Sequence, residues 1–266
     1  MLRVIANILS IAGSDPSGGA GIQADIKAIS ANGGYAMAAI TALTAQNTQG
    51  VSAVQMIPAD MVAAQIAAIR ADIRIDAVKL GMLGDAAIIV AVAQALQGLG
   101  APIVLDPVMV AKSGDRLLQA AAVAALRDIL PLATIITPNL PEAADLLNQR
   151  EAATRDEMQA QAQALLTLGP GAVLLKGGHL PGDDCPDLLA DSNGLTWLPG
   201  TRQATHKTHG TGCTLSSALA TLLGQGVSLA QAAKQAKAYV AGAIAGADAL
   251  SVGQGHGPTH HFHAYF

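Results

Sequence analysis

The sequence predicts an α/β fold in which a mostly parallel central sheet is flanked by helices on both faces. Short apolar runs with the β-rich composition of buried strands alternate with longer runs of helical pattern. The composition supports this, because 51% of the 266 residues are hydrophobic, 13% are charged and 2% are aromatic, as is typical of helices covering a buried sheet. No linker-like or low-complexity segment divides residues 1–266, which predicts a single domain.

The alternation predicts the elements in chain order. It begins with an apolar run that leads into a glycine-rich loop and is typical of a first buried strand. Strands are predicted at residues 5–11, 35–45, 77–80, 103–105, 134–136 and 173–175. Helical patterns between them predict helices at residues 23–31, 59–71, 88–99 and 117–129, and two more within residues 141–168.

Beyond residue 175 the pattern changes. Short runs separated by turns predict strands at residues 187–190, 194–198 and 202–205. Two alanine- and leucine-rich runs predict closing helices at residues 213–223 and 229–249, because both follow turn residues.

Charge and cysteine content exclude several classes of function. The net charge of −4 comes without a basic run, whereas nucleic-acid binding needs clustered Lys and Arg. The two cysteines, Cys185 and Cys213, are too few for a disulfide framework and predict a cytoplasmic protein. The apolar run at residues 4–12 lacks a signal-type cleavage site, and the one at residues 86–105 is interrupted by glycine and proline, so no membrane partner is expected. The low charge favours a homodimer.

Polar and glycine-rich residues follow the predicted strands. The carboxyl ends of parallel strands meet at one edge of a sheet, where ligands bind. Each loop taken singly is explained by turn chemistry, but their convergence predicts a ligand site. The loops comprise residues 13–21, 46–48, 81–82, 106–108, 138–142 and 176–179.

A glycine turn that opens into a helix, His209-Gly210-Thr211-Gly212-Cys213-Thr214, carries the most specific chemistry. The first amides of a helix lack internal partners and two glycines allow close approach, so a phosphate can dock there. The same partial positive charge favours a thiolate and predicts that Cys213 ionises more easily than a free cysteine. This combination indicates phosphoryl transfer to an alcohol. The alternative is a tight turn with a small buried cysteine.

Other candidate residues allow two interpretations each. Asn139 and Glu142 are spaced to orient magnesium and phosphates or to form a helix capping box. Asp106 before a proline is a turn former or a metal-facing carboxylate. Lys176, after an apolar run, favours a phosphate contact. The histidine-rich segment at residues 256–263 lacks helical spacing and carboxylates, which disfavours a metal site.

Seven motifs resemble the hydroxymethylpyrimidine kinase/phosphomethylpyrimidine kinase family of thiamine biosynthesis, within the ribokinase-like superfamily. The resemblance covers nearly the whole chain. The motifs are IAGSDPSGGAGIQAD at residues 11–25, TALTAQNT at 41–48, KLGML at 79–83, VLDPVM at 104–109, TPNLPE at 137–142, LKGGH at 175–179 and HGTGC at 209–213.

The resemblance implies that ATP phosphorylates 4-amino-5-hydroxymethyl-2-methylpyrimidine to the monophosphate and then to the diphosphate. It implies that Gln46 pairs with the pyrimidine and that Cys213 faces the hydroxymethyl oxygen. Gly210, Thr211 and Gly212 would form the anion hole, Lys176 would neutralise the phosphoryl group together with Mg²⁺, and Lys237 would lie near the nucleotide. Asp106, Asn139 and Glu142 would arrange the metal and its waters. The pocket walls would be Gly13, Ala20, Met82 and Val108, with Asp25 a weaker candidate, and residues 110–117 would form a lid.

Two other functions remain open at this stage. A pyridoxal or pyridoxine kinase acts on a similar heterocycle that carries a hydroxymethyl group. A non-catalytic pyrimidine-binding sensor would share the pocket but would not need Lys176, Asn139, Glu142 or Cys213. The presence of these residues favours an enzyme.

Overall fold

A computed structural model describes residues 4–109 and 120–266 of the chain. An eight-stranded sheet with the order β10-β9-β8-β7-β6-β5-β1-β2 forms its centre, and a two-stranded hairpin, β3-β4, stands apart. The strands are β1 (Asn7–Ala12), β2 (Tyr35–Ile40), β3 (Ala42–Asn47), β4 (Gly50–Met56), β5 (Ala77–Leu80), β6 (Ile103–Leu105), β7 (Ile135–Ile136), β8 (Val173–Leu175), β9 (Asp187–Asp191) and β10 (Gly194–Leu198).

Strands β1, β2 and β5 to β8 run parallel to one another, whereas β9 pairs antiparallel with both β8 and β10. The predicted mostly parallel sheet is thus confirmed. The helices are α1 (Gly21–Ala31), α2 (Ala59–Asp72), α3 (Ala86–Leu96), α4 (Ala120–Ile129), α5 (Leu140–Leu147), α6 (Arg155–Leu166), α7 (Thr211–Gly224) and α8 (Leu229–Ala245), with short 3-10 turns at Leu130–Leu132 and Gly246–Ala249.

Helices cover both faces of the sheet, because successive strand residues point to opposite sides. In β1, Leu9 packs into the core on the side of α2 to α6, whereas Ile8 packs into the core on the side of α1, α7 and α8. Strands β5 to β8 are buried on both faces, which explains their continuous apolar sequences.

Two strand predictions are wrong. The predicted strand at residues 35–45 divides at Thr41, whose backbone N–H bonds to the carbonyl of Ala12 (3.1 Å) and whose hydroxyl bonds to the carbonyl of Met82 (2.7 Å). After Thr41 the chain leaves the sheet as β3 and pairs with β4, a strand that the sequence reading missed. Residues 202–205 form no strand, because the Arg202 guanidinium binds three loop carbonyls instead.

The C-terminal segment folds against the start of α7. The backbone N–H of His209 donates to the carbonyl of Gly257 (3.1 Å), and the His261 ring lies 3.1 Å from the Thr214 hydroxyl. Among the described residues, no three His, Cys, Asp or Glu side chains are grouped to hold a metal ion. Nor does any helix there combine the length and apolarity needed to span a bilayer.

Protonation of His261 is expected to destabilise the fold. Burial lowers its pKa from 6.5 to about 4. The unfolded chain therefore binds this proton more readily, so the stabilisation is complete above pH 6.5 and is lost as the pH falls towards 4. The free energy of unfolding should fall by up to about 1.4 kcal/mol per pH unit in this window from this group. Urea denaturation of the protein and of His261→Gln measures it, and equal pH slopes for the two would contradict the assignment.

Candidate active site

A cavity of about 1340 Å³ opens at the carboxyl ends of the parallel strands. Its lining residues include those that directly follow successive strands, which confirms the predicted convergence at this edge. The first turn of α7, the hairpin residue Gln46 and the α8 residue Lys237 complete the wall. The residues that follow β1, β5, β6, β7 and β8 and line the cavity are Gly13, Met82, Asp106, Asn139 and Lys176.

The start of α7 has the backbone geometry of an anion site. Gly210 precedes the helix with φ 78°, and a side chain there would collide with the carbonyl of Gly19. The first helical hydrogen bond runs from the Thr214 N–H to the Gly210 carbonyl (2.9 Å). The amides of Gly212 and Cys213 precede that bond and have no intrahelical acceptor, whereas the Thr211 N–H donates weakly to the Thr208 carbonyl (3.4 Å).

Lys176 and Asp106 lie directly beside this helix start, and Glu142 lies beside Lys176. The Lys176 ammonium is 3.0 Å from Asp106 Oδ1 and 3.9 Å from Glu142 Oε2. A Cβ on Gly212 would lie 3.3 Å from both Lys176 Nζ and Asp106 Oδ2. Only a residue without a side chain leaves room here for a ligand between the backbone and the lysine.

The pKa values of this group reflect burial and mutual charge. Burial raises the pKa of Glu142 to about 7, with Lys176 lowering it and Asp106 raising it further. Burial alone would lower the pKa of Lys176, but the two carboxylates hold it above its usual value. Lys176 therefore stays positively charged. Asp106 and Glu142 are two carboxylates beside one ammonium, so this site favours a further positive charge.

Asn139 and Glu142 form a capping box at the start of α5, which confirms that interpretation. The Glu142 N–H donates to Asn139 Oδ1 and the Asn139 N–H donates to Glu142 Oε2, both at 2.8 Å. Both residues also line the cavity. Capping fixes the Glu142 carboxylate beside Lys176, so the two interpretations of this motif are compatible.

Cys213 borders the cavity and is half-buried. The backbone N–H of Gly21 faces its sulfur and acts to lower the pKa of the thiol. The prediction of easy ionisation is wrong, because burial raises the pKa of the thiol to about 11, with Lys79 lowering it and Asp25 and Asp106 raising it. A helix N-terminus contributes about 0.3–1 kcal/mol, less than one pKa unit, and does not offset this environment.

The cavity is also lined by Gln46 together with the predicted wall residues Gly13, Ala20, Met82 and Val108. Gln46 lies within β3 rather than after a sheet strand, which corrects its predicted position.

Sequence reasoning missed two residues that line the cavity, Asp15 and His209. Asp15 Oδ2 lies 2.7 Å from His209 Nε2, which is 3.5 Å from Gln46 Nε2. Burial would raise the pKa of Asp15, but hydrogen bonds from His209 and Ser17 hold it below its usual value. Asp15 and His209 both lie in motifs singled out in the sequence. Their positions in loops at the strand ends were the signal that could have identified them as site residues.

Asp25 is not a pocket residue. Its carboxylate is fully buried and binds the Lys79 ammonium at 2.8 and 2.9 Å. The reason is its position on α1, which turns it towards the sheet rather than the strand ends. The predicted lid at residues 110–117 lies outside the described residues.

Lys237 lines the cavity from α8. Its ammonium lies 2.7 Å from Asp187 Oδ2 and 3.0 Å from the carbonyl of Cys185. These contacts fix a cation at the cavity wall, and its predicted proximity to the nucleotide stays a prediction.

The fold and the site together define a class of protein. A mostly parallel sheet covered on both faces, with a glycine-rich helix start beside a lysine and two carboxylates at the strand ends, is the arrangement of a ribokinase-like small-molecule kinase.

Comparison with known proteins specifies the family. Residues 15–260 match the sequence model of the family described as phosphomethylpyrimidine kinase. A hydroxymethylpyrimidine/phosphomethylpyrimidine kinase of Escherichia coli is 52% identical over 262 residues, covering 98% of each chain. The chain belongs to the phosphomethylpyrimidine kinase family.

Solved structures share the fold. A pyridoxal kinase from Staphylococcus aureus in complex with AMP-PCP and pyridoxal superposes with a TM-score of 0.90 at 32% identity, covering 98% of this chain and 95% of that one. A phosphomethylpyrimidine kinase from Clostridium difficile has a TM-score of 0.80 at 41% identity, covering 90% of this chain and 99% of that one. The ribokinase-like expectation is confirmed.

Proposed function

We propose that this protein uses ATP to phosphorylate 4-amino-5-hydroxymethyl-2-methylpyrimidine and then its monophosphate, which yields the diphosphate for thiamine biosynthesis. The observation that carries the proposal is the position of Cys213. Its sulfur is faced by the N–H of Gly21, which lines the cavity next to the wall residue Ala20, while the preceding Gly212 faces Lys176 and Asp106. The thiol thus borders both the pyrimidine end and the phosphate end of one cavity.

A pyridoxal kinase is the second candidate, because the Staphylococcus aureus structure shares the fold over nearly its whole length. Sequence identity favours the first candidate, at 52% for the Escherichia coli relative against 32% for the pyridoxal kinase. Mass spectrometry of the products decides. Incubation with ATP and hydroxymethylpyrimidine should give the monophosphate and then the diphosphate, and pyridoxal should react far more slowly. Phosphorylation of pyridoxal without any phosphorylation of hydroxymethylpyrimidine would overturn the proposal. Tight binding of the pyrimidine without turnover of any substrate would identify a sensor.

The reaction assigns a role to each side chain at the phosphate end. The substrate hydroxyl oxygen attacks the γ-phosphorus, the bond to the β,γ-bridging oxygen breaks, and ADP leaves, while the hydroxyl proton passes to an oxygen of the transferred phosphoryl group and from there to water. The amides at the start of α7, contributed by the segment Gly210, Thr211 and Gly212, and the Lys176 cation stabilise the charge on the transferring group. Because the pKa of Cys213 is about 11, the neutral thiol orients the hydroxyl by a hydrogen bond. Positioning and charge neutralisation carry most of such reactions.

Asp106 and Glu142 suit Mg²⁺ as a second cation. Mg²⁺ is commonly held by one or two carboxylates, phosphate oxygens and several waters. These carboxylates both face Lys176, and the raised pKa of Glu142 reflects a buried negative charge beside a second one. Two carboxylate ligands of this kind suit a cation that binds together with the nucleotide. Bound there, Mg²⁺ would neutralise phosphate charge and align the nucleotide, with Asn139 and Lys237 as further nucleotide contacts.

Three further expectations belong to the same proposal. The single eight-stranded sheet supports one domain. The exposed apolar side chains of Tyr35, Leu43 and Val54 on β2 and the hairpin support a homodimer. A cytoplasmic location and the absence of a nucleic-acid or membrane partner stay predictions from composition.

Replacing Gln46 by alanine is expected to weaken pyrimidine binding. Its amide has the donors and the acceptor that an aminopyrimidine edge requires, so its loss leaves substrate polar groups unpaired and should raise the KM for the pyrimidine by roughly 10- to 100-fold. The KM for ATP should not change. Gln55→Ala, on the exposed side of the same hairpin, is the matched control, and equal KM values for the two variants would contradict the assignment.

A further inference from the structure

A fully buried ion pair lies beneath the active site and has no part in the chemistry described above. Lys79 on β5 and Asp25 on α1 are both inaccessible to solvent. The ammonium contacts both carboxylate oxygens, at 2.9 and 2.8 Å. Asp25 is its only hydrogen-bond acceptor among residues 4–109 and 120–266. Lys79 nevertheless borders the cavity.

Asp25 joins four elements of the fold. Its Oδ2 accepts the hydroxyl of Ser10 on β1 (2.6 Å), and its Oδ1 accepts the hydroxyl of Ser217 on α7 (2.8 Å). With the two contacts from Lys79, the carboxylate accepts four hydrogen bonds, which is its full capacity. The cluster therefore links β1, β5, α1 and α7 at one buried point.

The same two helices meet again at the catalytic thiol. On α7, Ser217 lies four residues after Cys213, and on α1, Asp25 lies four residues after Gly21, so each pair shares a helix face. The Gly21 N–H faces the Cys213 sulfur, and one turn deeper the Ser217 hydroxyl donates to Asp25. The depth and rotation of Cys213 are thus set by two ties, of which the lower one is the ion pair.

Stability alone does not account for such a pair. A buried ion pair loses so much hydration that replacing it by apolar side chains of similar volume often leaves the protein equally stable or makes it more stable. Lys79 is directed towards the strand end, because its Nζ lies 2.5 Å from the position of a Cβ on Gly81. Its charge therefore lies on the cavity side of the sheet, where Cys213 is.

We propose that Lys79, held by Asp25, is a positioning residue for phosphoryl transfer, which fixes Cys213 through Ser217 and places a positive charge beneath its sulfur. The role in turnover rests on the proposed function. The charged groups that act on the thiol are Lys79, Asp25, Asp106 and Lys176. Burial sets the high pKa of the thiol, and Lys79 lowers it by more than Asp25 raises it, so removing both should make the thiol harder to ionise.

The test uses the full-length protein with Cys185→Ser, so that Cys213 is the only cysteine. Lys79→Met with Asp25→Asn removes both charges at nearly constant volume. Ser217→Ala cuts the tie to α7 and keeps both charges. Arg74→Met with Asp76→Asn removes an ion pair of 2.7 Å that is largely exposed on the Arg74 side and serves as the matched control. Each variant is assayed for kcat, for the KM of ATP, and for the rate of Cys213 alkylation by iodoacetamide between pH 7 and 10.

The double variant Lys79→Met with Asp25→Asn should have a kcat roughly 10- to 100-fold lower than the parent and an unchanged KM for ATP. Its Cys213 should be alkylated several-fold more slowly at each pH, since the alkylation rate follows the thiolate fraction. Ser217→Ala should lower kcat, and the control should match the parent in all three measurements. A folded double variant with the parent's kcat and alkylation profile would overturn the proposal. If the double variant does not fold, full kcat in Ser217→Ala overturns it.

Alkylation needs no substrate, so it tests the placement of the charge independently of the proposed reaction. A parent protein that phosphorylates no pyrimidine would refute the proposed function. A reduced alkylation rate in the double variant would still support the position of Lys79 beneath the thiol.

Discussion

Lys176→Met is expected to lower kcat by roughly 100- to 1000-fold, which is the scale for removing one preorganised group that stabilises transition-state charge. Lys176 lies next to the open amides of α7, as the 3.3 Å approach of a Gly212 Cβ to its ammonium shows. Without it, Asp106 and Glu142 would repel both each other and the phosphates. The loss should appear in kcat more than in the KM for the pyrimidine, because the charge develops in the transition state.

Steady-state kinetics with hydroxymethylpyrimidine measures this effect, and a thermal melt checks that the variant is folded. Arg74→Met removes a cation that is paired with Asp76 just before β5, at the end of that strand away from the site, and should leave kcat unchanged. A kcat for Lys176→Met within a few-fold of the parent would contradict the assigned role.

Cys213→Ala is expected to fold and to lose roughly 100-fold in kcat, because a hydroxyl that is no longer oriented loses its attack geometry. Cys213→Ser keeps a small hydrogen-bonding group and should retain more activity than alanine. A thiol with a pKa of about 11 that acted as an obligatory base would instead raise kcat about tenfold per pH unit from pH 7 upwards. We expect no such rise.

The pH–rate profile and the two variants together decide between these roles. A serine variant as inactive as alanine, combined with a kcat that climbs steeply with pH, would establish the thiolate as the base. Full kcat in Cys213→Ala would remove the residue from the mechanism.

The sequence was sufficient for those features that depend on local pattern. Strands β5, β6, β8 and β10 begin and end at the predicted residues, because buried strands bounded by turns have sharp composition limits. The convergence of Asp106, Asn139 and Lys176 followed from parallel topology alone. The hairpin β3-β4 was missed, although the Asn47 side chain bonds to the N–H groups of Gln49 and Gly50 in the turn between the two strands, a pattern with a known turn signature.

Features that depend on tertiary surroundings were not predictable. The ionisation of Cys213 is set by burial and by Lys79, Asp25 and Asp106, which lie on other elements. Asp25 had the motif position of a ligand residue, but its partner Lys79 is 54 positions away. The contact between Asp15 and His209 joins residues 194 positions apart. Charge pairing across such separations leaves no periodic signal in a single chain.

The support of Gly210 has a consequence for how the enzyme is assembled. The carbonyl of Gly19 lies against Gly210 on one side, and the segment containing Gly257 and His261 holds His209 and Thr214 on the other. Regions separated by more than two hundred positions must therefore meet before the phosphate-binding turn takes its shape, and closing such long loops is slow. We therefore expect catalytic competence to be acquired late in folding, after the sheet and most helices are in place.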